Sequence, residues 1–246
     1  MRHPHLKVRF LPCHSHRISQ PHKCPSAQRL TAEQIRDGAL QVGGLLSERL
    51  GGPPVYPYQP AGLWEEKSGL KYPQSKDEGL YLRSLYTIWK RTSPPPSMMI
   101  FDSAGREVCS ARREVTVTSL QALVLMNDPQ FVEASRAIAI DALGIKSSSQ
   151  FSHVQFEIPS IERALKSVFR KLTSLECPDS LLERLRSGFE EQVTIFQAQP
   201  EQIAKLLNVG QWRGIEMQDI ELQSKLAALT LVVNSILNTD GFTVMR

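Results

Sequence analysis

Nine charged side chains lie close together in the middle of this 246-residue sequence. An arginine presents a planar fork of N–H donors that matches carboxylate, sulfate and phosphate groups. The pattern predicts either an anion-binding pocket or a set of ion pairs that hold a loop-rich region. Ion pairs are favoured, because runs of charge usually form solvated faces. The nine residues are Arg83, Lys90, Arg91, Asp102, Arg106, Glu107, Arg112, Arg113 and Glu114.

Aromatic rings and prolines crowd the same region. Residues 53–96 contain eight of the sixteen prolines, all five tyrosines and two of the three tryptophans. Such rings can stack on sugars, or they can anchor a segment that has few regular hydrogen bonds. Anchoring is preferred because each buried ring removes about 150–250 Å² from water, and Lys90 or Arg91 is expected to lie over a ring. The candidate ligand-binding residues are Trp64, Tyr86, Trp89, Arg91, Asp102, Arg106, Arg112 and Arg113.

Motifs for common catalytic chemistry are not found. The sequence has no phosphate-binding glycine loop, no H-E-x-x-H and no G-x-S-x-G. "SGLK" at 68–71 matches S-x-x-K, but a pattern with two fixed positions arises by chance. His153 stands in a serine-rich stretch and is expected to be solvated rather than to act as a general base. No catalytic residue is predicted, and a role other than catalysis is favoured.

The first 27 residues differ from the rest. Six basic and no acidic residues precede Glu33, so the remainder has 29 − 6 = 23 basic and 25 acidic residues, a net charge of −2. That balance argues against a basic face for nucleic acid. Five of the six histidines and two of the four cysteines lie in the first 24 residues. They lack metal-ligand spacing, and the chain has no C-x-x-C-H, so neither a metal nor a haem cofactor is predicted.

Helical patterns dominate after residue 28. "TAEQ" at 31–34 is a capping box, and the helix that it begins is expected to run to "GGPP" at 51–54. "LYLRSLYTIWKRT" at 80–92 is rich in aromatic and β-branched residues and predicts a strand. "MMIFD" and "EVCSA" are interpreted as two further short strands.

From Ser119 onward every predicted element is a helix. Ser119 and Asp128 are candidate N-caps, and Pro129 suits the first position of a helix that stops near Gly144. Amphipathic stripes predict helices in "SIERALKSVFRKLTS" and "SLLERLRSGFEEQVTIFQ", with a shorter one around "PEQIAKLLN". The last helix, about 219–238, is apolar on most faces and is expected to lie centrally.

These patterns together predict a mainly α fold, a helical domain with a Pro/aromatic-rich loop and short β-strand insert. Residues 1–27 are expected to be a disordered basic leader that contains His and Cys. Residues 28–246 are expected to form a single domain, with the insert in its first part (28–145) and only helices in its C-terminal part (154–246). A serine-rich linker, "KSSSQFSH", joins the two parts.

Several stretches resemble a known family. They are "YLRSLYTIWKRTSPPPSMMIFDSAGREVCSARRE", "LQALVLMNDPQFVEASRAIA", "GGPPVYPYQPAGLWEE" and "NSILNTDGF". The chain resembles the C-terminal domain of unknown function (number fifteen fifty-three) found in planctomycete cytochrome c domain-containing proteins. After Arg113 the family has an Arg-Thr-Asn-Thr-Pro run, whereas this chain has Glu114 followed by "VTVTS".

The resemblance implies an extracytoplasmic protein in which a haem domain and a second uncharacterised domain precede this one, and it supplies no catalytic residues to carry over. The first hypothesis is therefore a non-catalytic accessory or interaction domain of this family. The first 20 residues lack the apolar run of an export signal, so localisation stays open. Expected partners are a haem-carrying or other family domain, with no nucleic acid and no membrane span. Two alternatives remain, a polysaccharide-binding or polysaccharide-processing module that uses the aromatic and arginine residues, and a non-functional truncated paralogue.

Overall fold

The computed structural model describes residues 28–105, 113, 115–144, 161–212, 214, 217 and 219–245. In this part of the chain α-helices are the main element, and the predicted mainly α fold is confirmed. The two strands pair antiparallel, with Gln28 opposite Met245 and Arg29 opposite Val244. The elements are β1 (Gln28–Arg29), α1 (Ala32–Val42), α2 (Leu63–Ser68), α3 (Pro96–Ile100), α4 (Ser119–Asn127), α5 (Pro129–Ala142), α6 (Ile161–Thr173), α7 (Asp179–Ala198), α8 (Pro200–Leu207), α9 (Ile220–Leu237), α10 (Asp240–Thr243) and β2 (Val244–Met245).

Local capping signals place the starts of α1 and α5 where the sequence predicts them. The Thr31 hydroxyl accepts a hydrogen bond from the Gln34 amide at 3.3 Å, and the Gln34 side chain accepts from the Thr31 amide at 2.9 Å. Asp128 accepts from the Gln130 amide at 3.1 Å, and Pro129 occupies the first turn of α5. The four predicted helices α6 to α9 are also confirmed.

Helix α9 forms the centre of the helical body, as its composition predicts. It packs against α4, α5, α6, α7, α8 and α10, and Ala228, Leu229 and Val233 are fully buried. α9 is also long and apolar enough to cross a membrane, but 61% of it is buried inside the protein. Its apolar residues therefore serve as the core to which the other helices attach.

Two predicted helix boundaries, the end of α1 and the N-cap of α4, are wrong. α1 ends at Val42 instead of continuing to Leu50. Gly43 and Gly44 follow directly, and Gly44 has a φ of +67°, which glycine adopts readily and other residues do not. The N-cap of α4 is Thr118, one residue before the predicted Ser119.

The strands predicted in the insert are also not found. We define the insert as residues 45–105. Its "LYLRSLYTIWKRT" stretch begins at the last residue of the 3₁₀ helix Asp77–Leu80 and contains a second 3₁₀ helix, Ser84–Tyr86. An isolated bridge joins Thr87 of this stretch to Val55. "MMIFD" lies mostly in α3, because proline in the first turn favours a helix start. "EVCSA" and the serine-rich linker lie outside the described residues.

Candidate functional site

A buried arginine joins α1 to the insert. Arg36 is 3% exposed. Its guanidinium donates to the carbonyls of Leu80 (2.7 Å) and Leu82 (2.9 Å), to the Ser84 hydroxyl (3.2 Å) and to the Gln130 side chain (2.7 Å). The insert therefore receives from one distant side chain the hydrogen bonds that a neighbouring strand would supply.

The carboxylate of Asp37 completes this contact. It accepts from both the amide (2.8 Å) and the hydroxyl (2.6 Å) of Ser84, and lies 3.4 Å from Arg36 Nη1. Burial lowers the pKa of Arg36, while the neighbouring Asp37 carboxylate raises it and favours the charged form. A buried charge with this many partners fixes geometry, which is a structural use of the ion pair.

A second buried charge, Glu133 of α5, gathers groups from three segments. It is fully buried and accepts from the Tyr58 hydroxyl (2.9 Å), the Tyr81 hydroxyl (3.3 Å) and the Trp212 amide (2.7 Å). Burial raises the pKa of Glu133, although the Trp212 amide and the Tyr58 hydroxyl favour its ionised form. Burial beside this carboxylate also raises the pKa of Tyr58 and of Tyr81.

Arg136 lies one helical turn beyond Glu133 and holds the segment that follows α8. It is 1% exposed and donates to the carbonyls of Leu207 (2.9 Å), Val209 (3.0 Å) and Trp212. Its guanidinium also lies 5.5 Å from the centre of the Trp212 ring. Arg136 therefore satisfies carbonyls at and beyond the end of α8, which have no partner within a helix.

Between these contacts the chain passes very close to Glu133 at Gly210. Gly210 has a φ of +79°, and a Cβ at this position would overlap the Glu133 carboxyl group. Only glycine fits this approach, because it has no Cβ and tolerates positive φ. Glu133 and Arg136 are thus a structural connection between the insert, α5 and residues 207–212.

The cap of α5 carries a pH-sensitive group. Burial of Asp128 raises its pKa to about 6, although the Gln130 amide and the charge of Arg36 favour its ionised form. Because this folded-state pKa is above that of an unfolded aspartate, about 3.9, the group stabilises the fold most at low pH. Its contribution is lost as the pH rises from about 4 towards 6.

We expect Asp128→Asn to remove this dependence while keeping an oxygen that caps the helix. The difference in free energy of unfolding, variant minus wild type, should increase by about 2–3 kcal/mol between pH 4 and pH 7, since each unit of pKa shift corresponds to about 1.4 kcal/mol. Urea unfolding at the two pH values measures it. The control is Asp219→Asn, because Asp219 caps α9 in the same way but is exposed. Equal behaviour of the two variants would contradict the prediction.

The aromatic residues of the insert pack on one another. Tyr56, Trp64 and Tyr72 meet edge to face, with ring centres 5.3–6.1 Å apart. The ammonium of Lys90 lies 4.5 Å from the Trp64 ring centre, which confirms the predicted cation over a ring. The Tyr72 hydroxyl also donates to the Pro57 carbonyl at 2.7 Å. The ring edges and one face of Trp64 therefore make contacts within the insert, as expected for rings that anchor it.

Two other predicted aromatic residues are half-buried against the fold. Trp89 packs on the hydrophobic core and donates to the Gly105 carbonyl at 3.1 Å. The Tyr86 hydroxyl accepts from the Gly51 amide at 2.8 Å. Both rings therefore help to hold the loops around them.

The charged candidate residues are distributed over separate contacts. Asp102 accepts from the Thr116 amide (2.8 Å) and hydroxyl (2.9 Å). Arg113 pairs with Glu33 of α1 at 2.8 Å and, against the effect of burial, lowers the pKa of Glu33. Arg91 is exposed. Arg106 and Arg112 lie outside the described residues, and ligand binding by any of the eight candidates stays a prediction.

An open cleft of about 480 Å³ lies between α6 and α7. Two cations and two carboxylates line it together with Cys177, and burial raises the pKa of this thiol, which disfavours the reactive thiolate. Within the described ranges no group of three or more His, Cys, Asp or Glu side chains could hold a metal ion.

The most unusual exposed feature is one face of α4. We define the α4 surface as Leu120, Leu123 and Met126 of this helix together with Val115 and Val117, which lie just before it; their exposed fractions lie between 50% and 85%. The opposite face of the same helix buries Gln121 and Leu125 completely. A helix that is apolar on all sides is normally buried on all sides. The exposed side of α4 therefore has the composition of a buried surface, and the described residues do not cover it.

The α4 surface is held in a fixed shape from behind. The Gln121 side chain donates to the carbonyls of Ile100 (2.8 Å) and Thr116 (3.2 Å), and Arg29 donates to the Thr116 carbonyl at 3.0 Å. α4 packs against α3, α5 and α9. A rigid apolar patch of this kind is typical of a surface that binds another protein.

Sequence reasoning missed both the buried charges and the α4 surface. The signal for the surface was present, because residues 115–127 contain no charged residue and apolar side chains at every helical angle. The signal for Glu133 and Arg136 was weaker, two charges three positions apart in the otherwise small and apolar stretch "VEASRAIAI".

Comparison with known proteins gives a match to a family model. The model of the family PSD1, described as "Protein of unknown function (DUF1553)", matches residues 19–187. This range includes the insert, α1 to α6 and the first part of α7. No curated protein and no solved structure matches the chain.

Proposed function

The chain belongs to the PSD1 family of proteins of unknown function (DUF1553), and from this premise we propose that it is a non-catalytic interaction domain associated with cytochrome c-type proteins. The observation that carries the proposal is the α4 surface. Its exposed apolar side chains lie on α4 and on the residues just before it, and a partner that covered them would bury the helix on all sides.

The buried charged groups support a role without catalysis. Arg36 and Arg136 donate to backbone carbonyls, and Glu133 accepts from two tyrosines and an amide. Perturbed pKa values often mark catalytic groups, but the perturbed groups Arg36, Glu133 and Tyr58 are each part of a contact that joins two segments. These charges stabilise a scaffold that presents the α4 surface.

Association with a haem-carrying domain is supported by the resemblance of the Pro-aromatic block and of "LQALVLMNDPQF" to domains found in cytochrome c-type proteins. The second of these stretches contains α4 from its second residue onward, with Leu120, Leu123 and Met126. The stretch that carries the resemblance therefore includes three of the five residues of the α4 surface.

Titration of a purified cytochrome c domain, taken from a protein that carries this family domain, tests the proposal. We expect the chain to bind it with a dissociation constant in roughly the micromolar range, as small transient interfaces do. Leu123→Asp should weaken binding at least about tenfold, because a carboxylate would be buried in an apolar contact. The control is Leu85→Asp, since Leu85 is 70% exposed and lies in the insert. Absence of binding, or equal binding by both variants, would contradict the proposal.

Polysaccharide binding is a less supported alternative. Sugar platforms present flat ring faces to solvent, whereas Trp64 has Lys90 over its ring and Trp89 packs on the core. Because both tryptophans serve the fold, their loss would reduce stability before it revealed a binding site.

A further inference from the structure

We infer that the α4 surface pairs with the same surface of a second copy of this chain, so that the protein forms a two-fold symmetric dimer. The inference rests on the proposed function in taking the α4 surface as a binding surface, and it adds a second copy of the chain as an occupant of that surface. Three properties of the surface favour a second copy: its lack of charge, the order of its side chains and its area.

The absence of charge makes the surface compatible with itself. At the chain's average of 22% charged residues, the thirteen residues 115–127 would contain about three, and they contain none. In a two-fold dimer every charge near the axis meets a like charge, which is unfavourable. A surface that recognises a different protein is under no such restriction, because complementary charges on the two partners can orient it.

The order of side chains on α4 suits an antiparallel pairing. Leu120, Leu123 and Met126 are spaced three residues apart and form one stripe along the nine-residue helix. Leu123 is in the middle of the stripe. A two-fold axis that passes beside it places Leu123 against its own copy, and Leu120 of each chain against Met126 of the other.

The area is sufficient for a reversible dimer. The exposed parts of the five side chains of the α4 surface amount to roughly 500 Å² per copy, a size at which patches on monomers are often functional. Two copies would together bury about 1,000 Å², the lower limit for a specific interface. Dimerisation should therefore depend on concentration in roughly the micromolar range.

Sedimentation of the full chain between about 1 and 100 µM tests the inference. We expect wild type to change from monomer to dimer over this range, and Leu123→Asp to remain a monomer because two carboxylates would meet at the axis. Leu85→Asp should dimerise like wild type. Circular dichroism shows whether each variant is folded. A wild-type chain that is monomeric throughout, or one whose dimer survives Leu123→Asp, would overturn the inference.

A pair of double variants tests the antiparallel arrangement. In Leu120→Lys/Met126→Glu, each lysine faces a glutamate of the other copy, so dimerisation should be retained at low salt. In Leu120→Glu/Met126→Glu, like charges face each other, and the dimer should be at least about tenfold weaker. Equal behaviour of the two would overturn the arrangement.

Failure of this inference can be told apart from failure of the proposed function. A monomer that binds the cytochrome c domain through Leu123 overturns the dimer and leaves the interaction domain supported. A dimer through Leu123 without binding of the cytochrome c domain supports the inference and contradicts the haem association.

Discussion

Replacing Arg36 by methionine is expected to lower the free energy of unfolding by about 3–5 kcal/mol. The substitution keeps most of the side-chain volume and removes donors to the carbonyls of Leu80 and Leu82. Each buried acceptor left without a partner costs about 1–3 kcal/mol, and the partly buried Asp37 loses its closest counter-charge. Urea unfolding measures the total loss. Limited proteolysis should show that residues 80–86 become accessible first.

Arg83→Met is the matched control for this experiment. Arg83 also faces Asp37, at 3.9 Å, but its side chain is 53% exposed. Exposed ion pairs contribute little, so we expect a loss below about 1 kcal/mol. If both substitutions had the same effect, the contact between α1 and the insert would not depend on the buried hydrogen bonds of Arg36.

Gly210→Ala is expected to destabilise the protein by about 4 kcal/mol or more, the sum of an unfavourable backbone and a displaced buried carboxylate. The φ of +79° alone costs an alanine about 1–2 kcal/mol. In addition, the new Cβ would overlap the Glu133 carboxyl group, which would have to leave the Tyr58 and Tyr81 hydroxyls. Thermal or urea unfolding gives the value.

Gly44→Ala separates the two contributions. Gly44 has a similar φ of +67°, and a Cβ there meets nothing within 4 Å. We expect this variant to lose only the backbone part, about 1–2 kcal/mol. Combining Gly210→Ala with Glu133→Ala should cost less than the sum of the single substitutions, because both act on one contact. Strict additivity would show that Gly210 and Glu133 do not compete for space.

The fold could be predicted where local chemistry decides it. α1 and α5 begin at predicted residues because Thr31 and Asp128 bond to amides two or three positions away. The insert could not be predicted in this way. Its carbonyls at Leu80 and Leu82 are satisfied by Arg36, more than forty residues earlier in the chain, so the alternating pattern of residues 80–92 misleads.

The candidate site illustrates the same limit. The exposed and buried sides of α4 have a similar, uncharged composition. The sequence therefore does not show which side the other helices cover. Lys90 over Trp64 was predictable because cations near aromatic residues often make this contact. Glu133 and Arg136 were not, since their partners Tyr58 and Trp212 lie on opposite sides of them in sequence.

The antiparallel pairing of β1 with β2 has a practical consequence. Gln28 and Met245 are hydrogen-bonded neighbours, so the body between them begins and ends at one point. A unit with adjoining ends can be inserted into a surface loop of a host protein without forcing that loop apart. It should equally tolerate circular permutation, with a short linker across β1 and β2 and new termini at an exposed turn such as Gly51–Gly52.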